Sequence, residues 1–260
     1  MGSRLRGLYG QAFANIIMLA IIGGSGLNQF PELEIVSEKK ITTPYGDCSA
    51  PLTIARLEDQ QLVFLPRHGP GHKLPPHQIN YRANMWALKD VGVTRVLAVN
   101  AVGGIDTAMG PGVFVVPHQI IDYTYGREQS YNFLIDGYIN HIDFTHPYSS
   151  AMRQQLITSL LAANLPFQEQ GVYACTQGPR LETAAEVLRL QRDGCDLVGM
   201  TAMPEAALAR ELELEYAALC LVVNWAAGLA SEELSMDDIL KTLAAGMADI
   251  KKTIFIFANQ

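Results

Sequence analysis

Charge is scarce in this 260-residue chain, at 17% of residues, and positive charge is scarcer still: 19 Lys and Arg stand against 26 Asp and Glu, a net charge of -7. A protein that grips nucleic acid through its phosphates needs clustered net positive charge, so that class is excluded. Disorder is excluded too, because 49% apolar residues allow burial to offset the entropy of ordering. Cysteines are few. Cys48, Cys175, Cys195 and Cys220 are widely spaced, with no Cys-x-x-Cys pair or zinc-ligand rhythm, and read as buried small hydrophobes in a reducing compartment. A cytoplasmic location follows as the expectation. Long apolar runs are also lacking. A membrane span needs about 20 predominantly apolar residues, and the uncharged stretch 7–31 is broken by Gln11, Asn15 and its glycines. Arg4 and Arg6 before that stretch mimic a signal peptide. Cleavage near Gly23, however, would damage a glycine loop that belongs to the candidate site. Residues 1–17 are therefore expected to be an upstream extension or cloning remnant, with 18–260 as one domain. No repeat, low-complexity tract or long linker divides it.

Short apolar runs predict strands at 16–22, 52–57, 62–66, 95–100, 113–117, 171–176, 197–200 and 219–224. Amphipathic stretches predict helices at 81–90, 150–163, 184–192, 204–213 and 236–257. The alternation implies an α/β fold, with a mixed, mainly parallel central sheet covered by helices. Ligands bind at the carboxyl ends of strands in such sheets.

Six segments fall at those ends. Gly23-Gly24-Ser25-Gly26 can turn tightly and aim N–H groups at an oxyanion, or it can be a plain turn. It has the spacing of neither a P-loop nor a dinucleotide fold. In the stretch 66–77, Arg67 and His68 suit a tetrahedral oxyanion, while pairing of Arg67 with a surface carboxylate is the alternative. Its three histidines, His68, His72 and His77, invite a metal reading. The Gly/Pro-rich backbone and the lack of a carboxylate there speak against metal. Asn100 to Gly104 again ends an apolar run in glycines. In 178–186, Thr183-x-x-Glu186 is a capping box, which occupies Glu186 and leaves Glu182 free either for a cleft or for solvent. Met200-Thr201 and Asn224-Trp225-Ala226 complete the set. Together these segments suggest a site for a phosphate and a polar heterocycle.

Taken in order, "IIGGSGL", "RHGPGH", "NYRANMWALKDVGVTRVLAVNAVGG", "QGPRLETAAE" and "GMTAMPEAALARE" resemble the trimeric purine nucleoside phosphorylase and methylthioadenosine phosphorylase family. The resemblance runs from about Leu19 to Thr253. It implies the phosphorylase α/β fold, a homotrimer, and reversible phosphorolysis of a purine nucleoside. Inorganic phosphate would be co-substrate, with no metal or organic cofactor and neither nucleic acid nor membrane as partner. By position, Ser25, Arg67, His68, Ala101 and Thr201 look like the phosphate site, and Met200 like the residue beneath the ribose. Asn100 departs from the threonine of the methylthioadenosine enzymes. His68 and Asn224 are the implied catalytic pair.

The base is read from Glu182 and Asn224, with Leu181 and Ala226 beside them. An ionised carboxylate only accepts, so Glu182 suits the N1–H of a 6-oxopurine and repels the N1 lone pair of adenine. Asn224 can donate to O6 and accept from a protonated N7. The adenine-specific enzymes of the family carry aspartate at the positions of Asn224 and Ala226 and serine at that of Glu182. At the 5′ end, Leu234, Met236 and Leu240 align with the apolar wall around a methylthio group, with helix-core packing as their alternative reading. No histidine follows His146, whereas inosine enzymes of the family use a late histidine on the 5′-hydroxyl. His141 looks like a residue supplied by a neighbouring subunit. The expected substrate is thus 5′-deoxy-5′-methylthioinosine, with a general 6-oxopurine nucleoside phosphorylase as runner-up. A hydrolytic nucleosidase and a non-catalytic nucleoside-binding protein are the other classes.

Overall fold

The computed structural model describes residues 18–24, 27, 33–135, 137–230 and 235–260. The expected extension 1–17 and the start of the first predicted strand lie outside them. The chain opens with β1 (Met18–Gly23), β2 (Leu33–Lys39), the short pair β3 (Thr42–Thr43) and β4 (Gly46–Asp47), then β5 (Leu52–Leu57) and β6 (Gln60–Pro66). Helix α1 (Tyr81–Asp90) leads into β7 (Val93–Gly104), β8 (Phe114–Val115), β9 (Gln119–Asp122) and a hairpin of β10 (Leu134–Ile135) and β11 (Tyr138–Ile139). Then come α2 (Ser150–Ala163), β12 (Phe167–Gln168), β13 (Val172–Cys175), α3 (Ala184–Arg192) and β14 (Leu197–Gly199). The chain closes with α4 (Ala202–Glu211), β15 (Glu215–Trp225) and α5 (Met236–Ala258).

The expected α/β class is the one formed. The main sheet runs β12-β8-β15-β7-β1-β6-β5-β2, and β14, β13 and β9 continue from the far end of β7. Its centre is parallel, with β6, β1, β7 and β15 running the same way. These strands are buried along most of their length and carry Ile, Val, Leu and Ala without polar alternation, as coverage of both faces requires. On one face Ala20, Ile22 and Ala98 pack with Met85 and Leu88 of α1 and Leu208 of α4. On the other, Ile21, Leu97 and Leu219 pack with Leu156 of α2 and Ile254 and Phe257 of α5.

Helices α1, α2 and α3 have the bounds the sequence predicts, each with a side-chain cap at its start: Asn80, Ser149 and the Thr183/Glu186 capping box. In α4, Met203 is non-helical (φ -114°, ψ 135°), so the continuous turns begin at Pro204, a residue suited to a first helical turn. The helix ends at Glu211, two residues short of the prediction. Strands β2 and β9 were not predicted. No residue of β2 or β9 is fully buried, so no apolar period marks either.

Candidate functional site

The parallel strands β1, β6, β7 and β15 bring their carboxyl ends to one edge. Strand β14 meets β7 antiparallel, with Val198 level with Gly103, so the chain leaving β14 carries Met200 and Thr201 back along β7. Thr201 Oγ1 there donates to Asn100 Oδ1 at 3.4 Å. Thr201 is the N-cap of α4, yet its hydroxyl makes no capping bond. Ala101 is exposed at this edge, and Asn100 beside it is buried. Ser25 lies outside the described residues.

Arg67 is not disposed in this structure as the direct phosphate fork expected of it. Its Nε donates to Glu205 Oε1 at 2.7 Å and its Nη2 to Glu205 Oε2 at 3.2 Å. The second Nη2 proton goes to Ile22 O at 3.1 Å, and Nη1 donates to Val99 O at 2.9 Å and Asn100 Oδ1 at 3.1 Å. All five N–H groups are therefore engaged within the protein. Arg67 and Glu205 are only 2% and 1% exposed, and Tyr216 donates a further bond to Glu205 Oε2 at 3.0 Å. The alternative reading, a carboxylate partner, is what forms, except that the carboxylate is buried. From this position Arg67 braces the end of β1, the middle of β7 and α4 from behind.

His68 Nδ1 lies 2.8 Å from Leu74 O. A carbonyl only accepts, so Nδ1 carries the proton and Nε2 of the neutral ring keeps its lone pair. Burial and then the Arg67 cation push the His68 pKa down to about 4, so the ring is neutral at pH 7. His72 stacks on it with ring centroids 4.1 Å apart. Among the described residues no three His, Cys, Asp or Glu converge as a metal site would require. All four cysteines are free thiols, and burial raises the pKa of Cys175 and Cys220 to about 12.

At the other end, the Glu182 carboxylate accepts from Thr176 Oγ1 at 2.6 Å. Glu186 is engaged by Thr183 and by Arg180 at 2.7 and 2.8 Å, which leaves Glu182 as the available carboxylate of the segment. Asn224 follows a bulge in β15: Val222 pairs with Val102 and Asn224 with Gly103, with Val223 as the extra residue. Such bulges re-aim the side chain that follows. Asn224 Nδ2 donates to Trp225 O at 2.7 Å, and Ala226 is buried with its N–H on Gly104 O. Met200 is half-buried against Gly178, whose φ is +62° and where an added Cβ would sit 2.5 Å from the Met200 sulfur. Leu181 is exposed. Met236 and Leu240 are 58% and 55% exposed, so helix-core packing does not describe them; Ile239, Leu243 and Ile250 dock α5 instead. Leu234 lies outside the described residues, and His141 is exposed just beyond β11.

Sequence reasoning passed over Thr176, Glu205, Tyr216 and Arg127. Arg127 is the least expected, for it lies in the segment after β9 and reaches three others. Its Nε donates to Gln177 Oε1 at 3.1 Å, and its Nη2 to Thr176 O at 3.2 Å and Gln177 O at 2.8 Å. Its Nη1 donates to Tyr81 Oη at 3.2 Å, Met200 O at 2.9 Å and Met203 O at 2.6 Å. Nothing in "YGREQ" announces this, because most of the acceptors are main-chain carbonyls.

The fold and this strand-end site define a class. The chain belongs to the phosphorylase superfamily, whose family model matches residues 18–257. Among its relatives is a protein of Pseudomonas syringae pv. tomato named "Probable S-methyl-5'-thioinosine phosphorylase", 55% identical over 237 residues that cover 90% of this chain and 96% of the relative. The "6-oxopurine nucleoside phosphorylase" of Pyrococcus furiosus is 43% identical, covering 91% and 90%. Among solved structures, methylthioadenosine phosphorylase from Schistosoma mansoni in complex with adenine superposes with a TM-score of 0.87 at 32% identity, covering 94% of this chain and 91% of that one.

Proposed function

We propose that the chain catalyses the reversible phosphorolysis of S-methyl-5′-thioinosine to hypoxanthine and 5-methylthioribose 1-phosphate, a step of purine salvage. The observation that carries this reading is the Glu182 carboxylate, tethered by Thr176 at the sheet edge that Asn224 also occupies. An acceptor for N1–H together with an amide for O6 and N7 is the complement of a 6-oxopurine. The 55% identity to the Pseudomonas relative supports the same nucleoside.

In the reaction the C1′–N9 bond breaks with its electron pair leaving on the purine, and a phosphate oxygen bonds C1′. Asn224 stabilises the departing base at N7 and O6, aided by Glu182, with Leu181 and Ala226 lining the base. Phosphate is held by the glycine loop with Ser25, by His68, by Ala101 and by Thr201, while Arg67 acts through the strands it braces. Neutral His68, with its Nε2 lone pair, suits the hydroxyl of monohydrogen phosphate. Met200 lies beneath the ribose, and Leu234, Met236 and Leu240 receive the methylthio group. Inorganic phosphate is the co-substrate, and the chemistry calls for no metal or organic cofactor. The exposed Leu134, Ile135, Tyr138 and Ile139 of the β10–β11 hairpin form an apolar patch suited to a subunit contact. In the homotrimer this hairpin brings His141 to a neighbour's 5′ pocket. Four free thiols suit a reducing compartment, and the enzyme works in the cytoplasm. Among the described residues no helix is long and apolar enough to cross a membrane.

A general 6-oxopurine nucleoside phosphorylase is the second reading, favoured by the Pyrococcus relative. Comparing kcat/KM for methylthioinosine, inosine and methylthioadenosine separates the two. Methylthioinosine is expected to be fastest, and faster methylthioadenosine turnover would sink the base assignment. Base release in phosphate-free buffer would instead indicate a hydrolase.

A further inference from the structure

The geometry points to Arg127 as a positioning residue that sets Glu182 against Met200, and so governs nucleoside binding without touching the nucleoside. This rests on the site reading above. The guanidinium collects six acceptors on three segments: Tyr81 at the start of α1, Thr176 and Gln177 after β13, and Met200 and Met203 around the start of α4. Two of these segments end in groups the nucleoside needs. Thr176 offers its carbonyl to Arg127 and its hydroxyl to Glu182, so the base-reading carboxylate is two bonds of the same residue away from the arginine. Met200 offers its carbonyl and carries the side chain beneath the ribose. One planar cation thus ties base reader to ribose floor, reinforcing the bond from Thr176 N–H to Gly199 O at 2.8 Å that joins their strands, and a lysine cannot reproduce its fork of donors.

Two observations separate this from a merely structural part. Among the described residues Arg127 forms no ion pair, whereas Arg67 is locked to Glu205. It is also only half-buried, and it ties Thr176, Gln177 and Met200, all outside the buried core, to the core residues Tyr81 and Met203. Its removal should change the geometry of the site more than the stability of the fold.

The test is steady-state kinetics on the full chain with Arg127→Lys, varying nucleoside and phosphate separately. The expected result is a nucleoside KM raised about 10- to 100-fold with phosphate KM within about twofold, the pattern of a displaced nucleoside site. Gln177→Met, which removes one acceptor, should shift the nucleoside KM the same way by a smaller factor. Equal rises for both substrates, an unchanged nucleoside KM, or an Arg127→Lys protein that fails to fold would each overturn the assignment, the last by making Arg127 a residue of stability. A phosphate-side defect in Gln177→Met would overturn it independently. If the wild type does not cleave methylthioinosine, the function reading has failed on its own, and the Arg127 test is then read from equilibrium binding of hypoxanthine against binding of inorganic phosphate.

Discussion

Arg67 and Arg127 stand at the two ends of one site, and each spends its donors on the protein, but they are held in opposite ways. Arg67 is sealed in the sheet against Glu205 and Tyr216, with β1, β7 and α4 as its anchors. Arg127 sits half-buried among neutral acceptors, on the loop ends at Thr176, Gln177 and Met200 and on the starts of α1 and α4. The end proposed for phosphate is thus assembled with the core, and the end proposed for the nucleoside is assembled upon it. Phosphate is the same molecule for every member of such a family, whereas nucleosides differ. A site divided in this way can be retuned at its outer end without disturbing the fold. Relatives named for methylthioinosine and for 6-oxopurine nucleosides, at 55% and 43% identity, fit that division.

The sharpest break of the comparison is Glu205→Ala. It leaves the buried Arg67 cation without its carboxylate and should cost about 3–5 kcal/mol of stability, with phosphate affinity lost as well; denaturant unfolding measures it, and a loss below about 1 kcal/mol would place the two arginines on an equal footing. Next comes Asn224→Asp, which mispairs the base end alone. It should lower kcat/KM for 6-oxopurine nucleosides by about 100-fold with unfolding unchanged, and unaltered inosine kinetics would remove Asn224 from the site. Gly178→Ala puts a side chain at φ +62° against Met200. The strain of about 1–2 kcal/mol should appear chiefly as weaker nucleoside binding, seen as a raised nucleoside KM at constant phosphate KM. The smallest effect is one of acidity. Burial and Arg67 lower the His68 pKa from 6.5 to about 4, so on acidification the unfolded chain takes up this proton first. The stabilisation is complete above pH 6.5 and declines as pH falls from 6.5 toward 4. Melting temperatures of His68→Asn between pH 7.5 and 5 should fall less steeply than those of the wild type; parallel slopes would clear His68 of this role.

The parts of the molecule legible in the sequence are those whose partners are near or whose signal is periodic. The box of Thr183 and Glu186 spans one helical turn, and it fixed both the start of α3 and the freedom of Glu182. The apolar runs of β1, β7 and β15 announced a sheet buried on both faces. Arg67 and Glu205 are separated by 138 positions, and no local rule pairs them. The residue types around Arg67 suited a phosphate as well as a carboxylate, and only the fold brings Glu205 to it. Arg127 was hidden for another reason. A carbonyl is present at every residue, so a cation satisfied by carbonyls leaves no side-chain signature. Edge strand β2 was missed because its solvated residues carry no apolar period.

Strand β7 has a further consequence. It pairs with β1 over its first half, with β15 over nearly all its length and with β14 at its far end. Asn100 on it is bonded by Arg67 and Thr201, while Gly103 on it is level with Asn224. Three residues of strand measure about 10 Å. That is the scale of a pentose with an oxyanion on one side and a purine on the other. The strand is a common rail for both ends of the proposed site: a slip in its register would move the two together rather than apart.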